Sequence, residues 1–146
     1  MKKQFFAIIT ASLIFILFSC KKDDNKSKTE LLTQASWKFS TATAAGIDIT
    51  GNAAITCIKD DVVTFASDGT GTVTEGTVVC SPTTAGNITS AFQDSESKLM
   101  MSAGLFPAGS GLFTIVALTE TTLTLSQDVI IPPSSTAVPV SATYIH

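Results

Sequence analysis

Few side chains in this sequence are fit for catalysis, and their placement does not favour it. The only histidine is His146, the last residue, where chain ends fray. A Ser-His-Asp relay therefore has no well-held central base. Asp23-Asp24 and Asp60-Asp61 are adjacent pairs. Neighbours along a strand point to opposite faces, so neither pair converges as acid and base; both read as solvated surface charge. Gly69-Thr70-Gly71 lies between two β-patterned runs, whereas a dinucleotide fingerprint needs a strand before it and a helix after it. The three cysteines, Cys20, Cys57 and Cys80, show no C-x-x-C spacing for redox or zinc chemistry. The expectation is a protein with no enzymatic activity, no cofactor and no metal.

The chemistry that the sequence does support centres on Cys20. Lys2 and Lys3 precede an apolar run of 14 residues, Phe5 to Phe18, broken only by Thr10 and Ser12. Then come Ser19, a small residue suited to cleavage, and Cys20, a thiol suited to acylation. Basic head, short apolar run, small residue and cysteine make a secretory signal, and Leu17-Phe18-Ser19-Cys20 resembles a bacterial lipobox. Phe18 is bulkier than the residue usual there. A membrane-spanning helix is the alternative, but it needs about 20 apolar residues. The resemblance implies that residues 1–19 are a lipoprotein signal peptide and that Cys20 carries lipid. Residues 20–28 are polar and charged from Lys21 onward, a flexible tether. Within it, Lys22-Asp23-Asp24 resembles the lysine-plus-two-acids signal that sends lipoproteins of the Bacteroidetes to the cell-surface face of the outer membrane. The periplasmic face of that membrane is the alternative.

Removal of residues 1–19 leaves 127 residues with 7 Lys, no Arg and 12 acids, a formal charge of −5. That is one domain, spanning 29–146, with a modest core. A weakly acidic surface without arginine lacks the basic patch that nucleic acid requires. With Cys20 acylated, Cys57 and Cys80 remain. In an exported, oxidising setting the simplest reading is one disulfide, with two buried free thiols as the alternative.

The elements that must position these residues are short and β-patterned. Ser27-Lys28-Thr29-Glu30 has capping-box spacing and predicts one helical turn from about residue 29 to 34. Trp37, Phe39 and Thr41 alternate with polar or small residues in a period-2 strand. Gly46 to Asn52 reads as a loop. Val62 to Ala66 and Thr70 to Glu75 flank the turn Ser67-Asp68-Gly69, and Val78-Val79-Cys80 reads as a continuing strand. Ile88 to Phe92, Leu99 to Ser102, Leu112 to Leu118 and the run from Leu123 follow. Val129-Ile130-Ile131-Pro132-Pro133 is expected to leave the sheet, because proline cannot donate to a ladder. Val140 to Ile145 closes the chain. About eight strands joined by tight turns predict an all-β, antiparallel up-and-down β-barrel, with a β-sandwich as the alternative.

Several of these runs together resemble the small lipocalin-like lipoprotein domains common in Bacteroidetes. Leu32 to Phe39 is similar to the first strand of that family, with Ala35 where Gly is commoner. Cys57-Ile58-Lys59-Asp60-Asp61-Val62-Val63-Thr64-Phe65 with Asp68-Gly69-Thr70 resembles its central hairpin. Cys80 stands where the partner cysteine lies, and Ile115 to Leu125 looks like the penultimate hairpin. Ala91-Phe92 replaces a second Trp, and no Arg is present to pack on Trp37, which leaves Leu31 and Leu32 to seal the floor. The resemblance implies a lipocalin-like barrel that is either filled by side chains or holds one small ligand. The expected inward set is Trp37, Phe39, Val63, Phe65, Val73, Phe113, Ile115, Leu123 and Leu125. A ligand, if the barrel takes one, is apolar and enters at a mouth rimmed by Leu105, Phe106, Ile130 and Ile131. The alternative is a filled barrel whose loops contact another protein or a glycan. The partners expected are the membrane, through acyl chains on Cys20, and that small ligand, with the chain a monomer.

Overall fold

The computed structural model describes residues 26–105, 109, 111–130 and 135–146. Helix α1, Lys28–Thr33, opens them. It starts where the capping box puts it. Ser27 N–H donates to Glu30 Oε2 at 2.7 Å, and Glu30 N–H donates back to Ser27 Oγ at 3.2 Å. Nine strands follow: β1 Trp37–Ala44, β2 Ile47–Asp48, β3 Val62–Phe65, β4 Thr70–Thr74, β5 Gly86–Gln93, β6 Lys98–Met101, β7 Gly111–Leu118, β8 Thr122–Ile130 and β9 Ala137–Ile145. A 3-10 turn, Ala53–Ile58, stands before β3.

The sheet is antiparallel in the order β2-β1-β3-β4-β5-β6-β7-β8-β9, and β1 also pairs with β9. That pairing, from Lys38↔Ile145 to Ala44↔Val140, closes an eight-stranded barrel, with β2 as an extra short strand hairpinned onto β1. Closure rules out the two-sheet sandwich. The β1–β3 seam is the narrowest, with only Trp37↔Val63 and Lys38↔Val62 in register. The 3-10 turn that precedes β3 adds buried Ile55 and Ile58 to the core.

Three local readings of the sequence give way to the structure. Val78 to Cys80 is not a strand, because carboxylates from neighbouring elements take its backbone N–H groups. Val129 and Ile130 stay in the ladder, opposite Val138 and Ala137, since β9 begins earlier than the prolines suggested. The loop from Gly46 contains β2.

The end of the barrel that holds the start of β1 is the floor. There Leu32 and Trp37 are buried, and Trp37 Nε1–H donates to the Leu32 carbonyl at 2.8 Å. The His146 ring lies 4.5 Å from that of Trp37. Lys28 Nζ and Gln34 Nε2 donate to the Glu96 and Glu120 carbonyls in the turns below β5 and β7, which ties α1 across the opening. Leu32 thus seals the floor, while Leu31 is half-buried. The barrel centre is solid: Trp37, Leu99, Phe113, Leu123, Leu125 and Tyr144 are all essentially fully buried.

Candidate ligand-binding mouth

At the opposite end the alternation of β3 decides which side chains turn inward. Val63 and Phe65 are buried, and Asp61 is two residues before Val63 in the same phase. Period 2 therefore sends Asp61 into the barrel mouth, where it is 4 % exposed. This corrects the reading of Asp60-Asp61 as solvated surface charge. Across the hairpin, Val62 pairs with Thr74 and Val63 with Val73. Extension of that register by one residue sets Glu75 opposite Asp61, on the same inward side as Val73. Asp60 turns the other way. Its Oδ2 accepts from the Thr77 backbone and hydroxyl and from Val78 N–H, over Gly76, which has no Cβ to obstruct it.

Glu75 organises the loop that follows. Its Oε1 accepts from Cys80 N–H at 3.1 Å and Thr84 N–H at 2.8 Å, and its Oε2 accepts from the Thr83 hydroxyl at 2.7 Å. The Thr84 hydroxyl lies 3.1 Å from Glu75 Oε1 and 3.2 Å from Asp61 Oδ2, and can donate to only one at a time. These bonds, that from Thr83 foremost, hold the Glu75 carboxyl below its ordinary pKa. Hydrogen bonds from Thr77 do the same for Asp60. Asp61 goes the other way: burial pushes its pKa up, against hydrogen bonds from Thr84 and the Gly76 backbone. Tyr144, whose hydroxyl donates to the Leu105 carbonyl at 2.7 Å, is pushed up by burial and then by the charge of Asp61.

The Cys57–Cys80 disulfide spans this corner, with its Cα atoms 5.0 Å apart. It ties the 3-10 turn to the loop that Glu75 holds. Beside it opens a cleft of about 650 Å³, lined among others by Ile58, Cys80, Pro82, Thr84, Ile88 and Ala103. One wall is the loop from residue 80 to the start of β5, and the other is the segment after β6. The volume suits a small ligand, and the lining mixes apolar side chains with a few polar ones.

The residues singled out from sequence fall as follows. Cys57 and Cys80 are bonded to each other. Trp37, Phe39, Val63, Phe65, Val73, Phe113, Leu123 and Leu125 are buried, and Ile115 is half-buried beside the bulge in β7. Leu105 is a core residue, whereas Ile130 is 55 % exposed at the end of β8; neither lines the cleft. Cys20, Lys22, Asp23, Asp24, Phe106 and Ile131 lie outside the described residues, as does the signal segment. Asp61, Glu75 and Thr84 were missed. The phase of Asp61 with Val63 and Phe65 was the signal available for the first of them. Among the described residues no helix is long and apolar enough to cross a membrane. No protein-family model matches the sequence, and no characterised protein matches it either.

Proposed function

We propose that this chain is an exported lipoprotein, anchored to the outer membrane by acyl chains on Cys20 and displayed on the cell surface. In this reading its barrel is a lipocalin-like, non-enzymatic binding module that takes a small, largely apolar ligand. The support for export and anchoring is the order of residues 2–20 and the Lys22-Asp23-Asp24 run. The observation that carries the binding mode is the filled barrel centre. Six large side chains are essentially fully buried in the interior, so in this reading the ligand sits not in a deep chamber but in the disulfide-bounded cleft at the mouth. The apolar body of the ligand packs against Ile58, Pro82 and Ile88, and polar groups of the loop orient it.

A second reading has its own observation. Val78 and Val79 are 45 % and 63 % exposed on the disulfide-tied loop, and Ile47 is 70 % exposed on the β1–β2 hairpin. Loops with such side chains suit contact with another protein. Titration of decanoate into an isotope-labelled chain that begins at residue 21, followed by backbone amide NMR, separates the two. Saturable shifts confined to Thr83–Ile88 and Ala103–Gly104 are the expected result. Shifts centred on Trp37 would place the ligand in the barrel instead, and no saturable shift would favour the interaction reading.

A further inference from the structure

Asp61 and Glu75 face each other at the barrel mouth, and no lysine among the described residues forms an ion pair with either. Among the described residues the ion pairs are Lys26–Glu120 and Lys98–Asp94, both remote in the fold from this corner. Asp61 is more than nine-tenths buried, and its Oδ1 has no hydrogen-bond partner; Oδ1 of the adjoining Asp60 is likewise buried and unpartnered. Buried carboxylate oxygens retain strong demand for a positive partner. Asp60 turns to the other face, so the demand at this corner is that of Asp61 beside Glu75.

We infer that this corner is a binding site for a hard divalent cation, Ca2+, held by the carboxylates of Asp61 and Glu75. Three features point to that ion. The donors are oxygens: Cys80 Sγ lies with them but is committed to the disulfide, so no thiolate is offered to a soft metal. The candidate ligand atoms lie within 4.8 Å of one another. That closeness lets one ion bridge both carboxylates, and the adaptable shell of Ca2+ suits a corner where other bonds already fix the oxygens better than the strict octahedron of Mg2+. The Thr84 hydroxyl is within reach of both carboxylates, and Thr84 also lines the open cleft, which gives water and the ion a way in. Ca2+ keeps 6–8 oxygen ligands in flexible geometry, so water and neighbouring oxygens complete the shell. Because Glu75 also holds the loop at Cys80 and Thr84, the ion stiffens one wall of the cleft. This inference does not rest on the ligand reading, which is tested by decanoate alone.

The test uses the full chain in nonionic detergent at pH 7.5, with equilibrium dialysis against radioactive Ca2+ and thermal melts in 1 mM CaCl2 or EDTA. The expected result is one Ca2+ per chain with Kd roughly 10–100 μM. The folding equilibrium constant then rises about 10- to 100-fold at 1 mM, seen as a melting temperature higher by about 5–10 °C. Asp61→Asn keeps the shape of the side chain and is expected to melt identically in Ca2+ and in EDTA. Glu75→Gln is expected to lose the response as well. A wild-type chain that binds no Ca2+ and melts alike in both buffers overturns the site. So does an Asp61→Asn chain that responds like the wild type. If instead the wild type ignores Ca2+ but gains stability as the pH falls towards 4, the partner of Asp61 is a proton and the proposal fails.

Discussion

Reduction of the Cys57–Cys80 disulfide should cost a large part of the stability of the barrel. The bond closes a loop of sequence separation 23. The chain-entropy model gives a loss of about 11 cal/mol/K for a loop of that length, or about 3.4 kcal/mol at 25 °C. For a domain of about 120 residues, 1 kcal/mol shifts the melting temperature by about 4 °C, so the expected fall is about 13 °C. Two measurements should agree: the wild type melted with and without a phosphine reductant, and the Cys57→Ala/Cys80→Ala variant. The variant should be slightly the weaker, since Cys80 is buried and its truncation leaves a small void. Reduction also frees the loop that Glu75 holds through Cys80 N–H, so limited proteolysis should cut first between residues 76 and 86. A fall of less than about 4 °C would refute the reasoning. It would mean that the unfolded chain already keeps these residues together, so that the bond constrains little.

Trp37→Phe keeps a ring in the floor but leaves the buried Leu32 carbonyl without its donor, so urea unfolding should show a loss of about 1–3 kcal/mol. Gly71→Ala places a methyl against the Thr64 carbonyl and 3.1 Å from Ile88, a clash inside the β3–β4–β5 sheet that should cost about 1–3 kcal/mol in the same assay. Asp61 has a folded-state pKa above its unfolded one, so the native state binds its proton more tightly. In EDTA its contribution is therefore best below about pH 4 and is lost as pH rises through the folded value. Asp61→Asn should accordingly gain on the wild type between pH 4 and pH 7 in paired melts, and an unchanged difference would argue against a buried charged carboxylate. Mass spectrometry of the mature protein should find an N-terminus at an acylated Cys20, and an intact Met1 would defeat the anchoring proposal.

Much of the architecture was legible because it depends on local pattern. The alternation at Trp37 and Phe39 and the hairpin around Asp68-Gly69 need only neighbouring residues to be read. The Ser27–Glu30 box fixes the start of α1 in the same way. What escaped depends on distant partners. Val78 and Val79 have strand-like side chains, but Asp60 and Glu75 capture the backbone around them. Val129 and Ile130 precede two prolines, yet the register of β9 extends far enough to pair them. Leu105 looked like a mouth residue in a glycine-rich segment; the Tyr144 hydroxyl draws its carbonyl inward, and it joins the core. Asp61 was the costliest miss, because the habit of charged residues outweighed a phase that Val63 and Phe65 had already set.

The two ends of the barrel are held by different physics, and the proposed binding cleft belongs to only one of them. At the floor, a capped helix, a buried indole and backbone carbonyls lock into one another. Among the described residues no charged group is buried there, so the apolar contacts stabilise without an opposing desolvation cost. At the mouth, Asp61 is buried against its preference, and a covalent bond, together with the carboxylates of Asp60 and Glu75, holds the loop. A domain this small has little stability to spare, and such an arrangement offers less packing than a continuous apolar cap. Polar groups gathered in one place at a cost to packing are what a binding site requires. The cleft opens beside that corner, which is why the proposed binding mode is placed at the mouth and not at the floor.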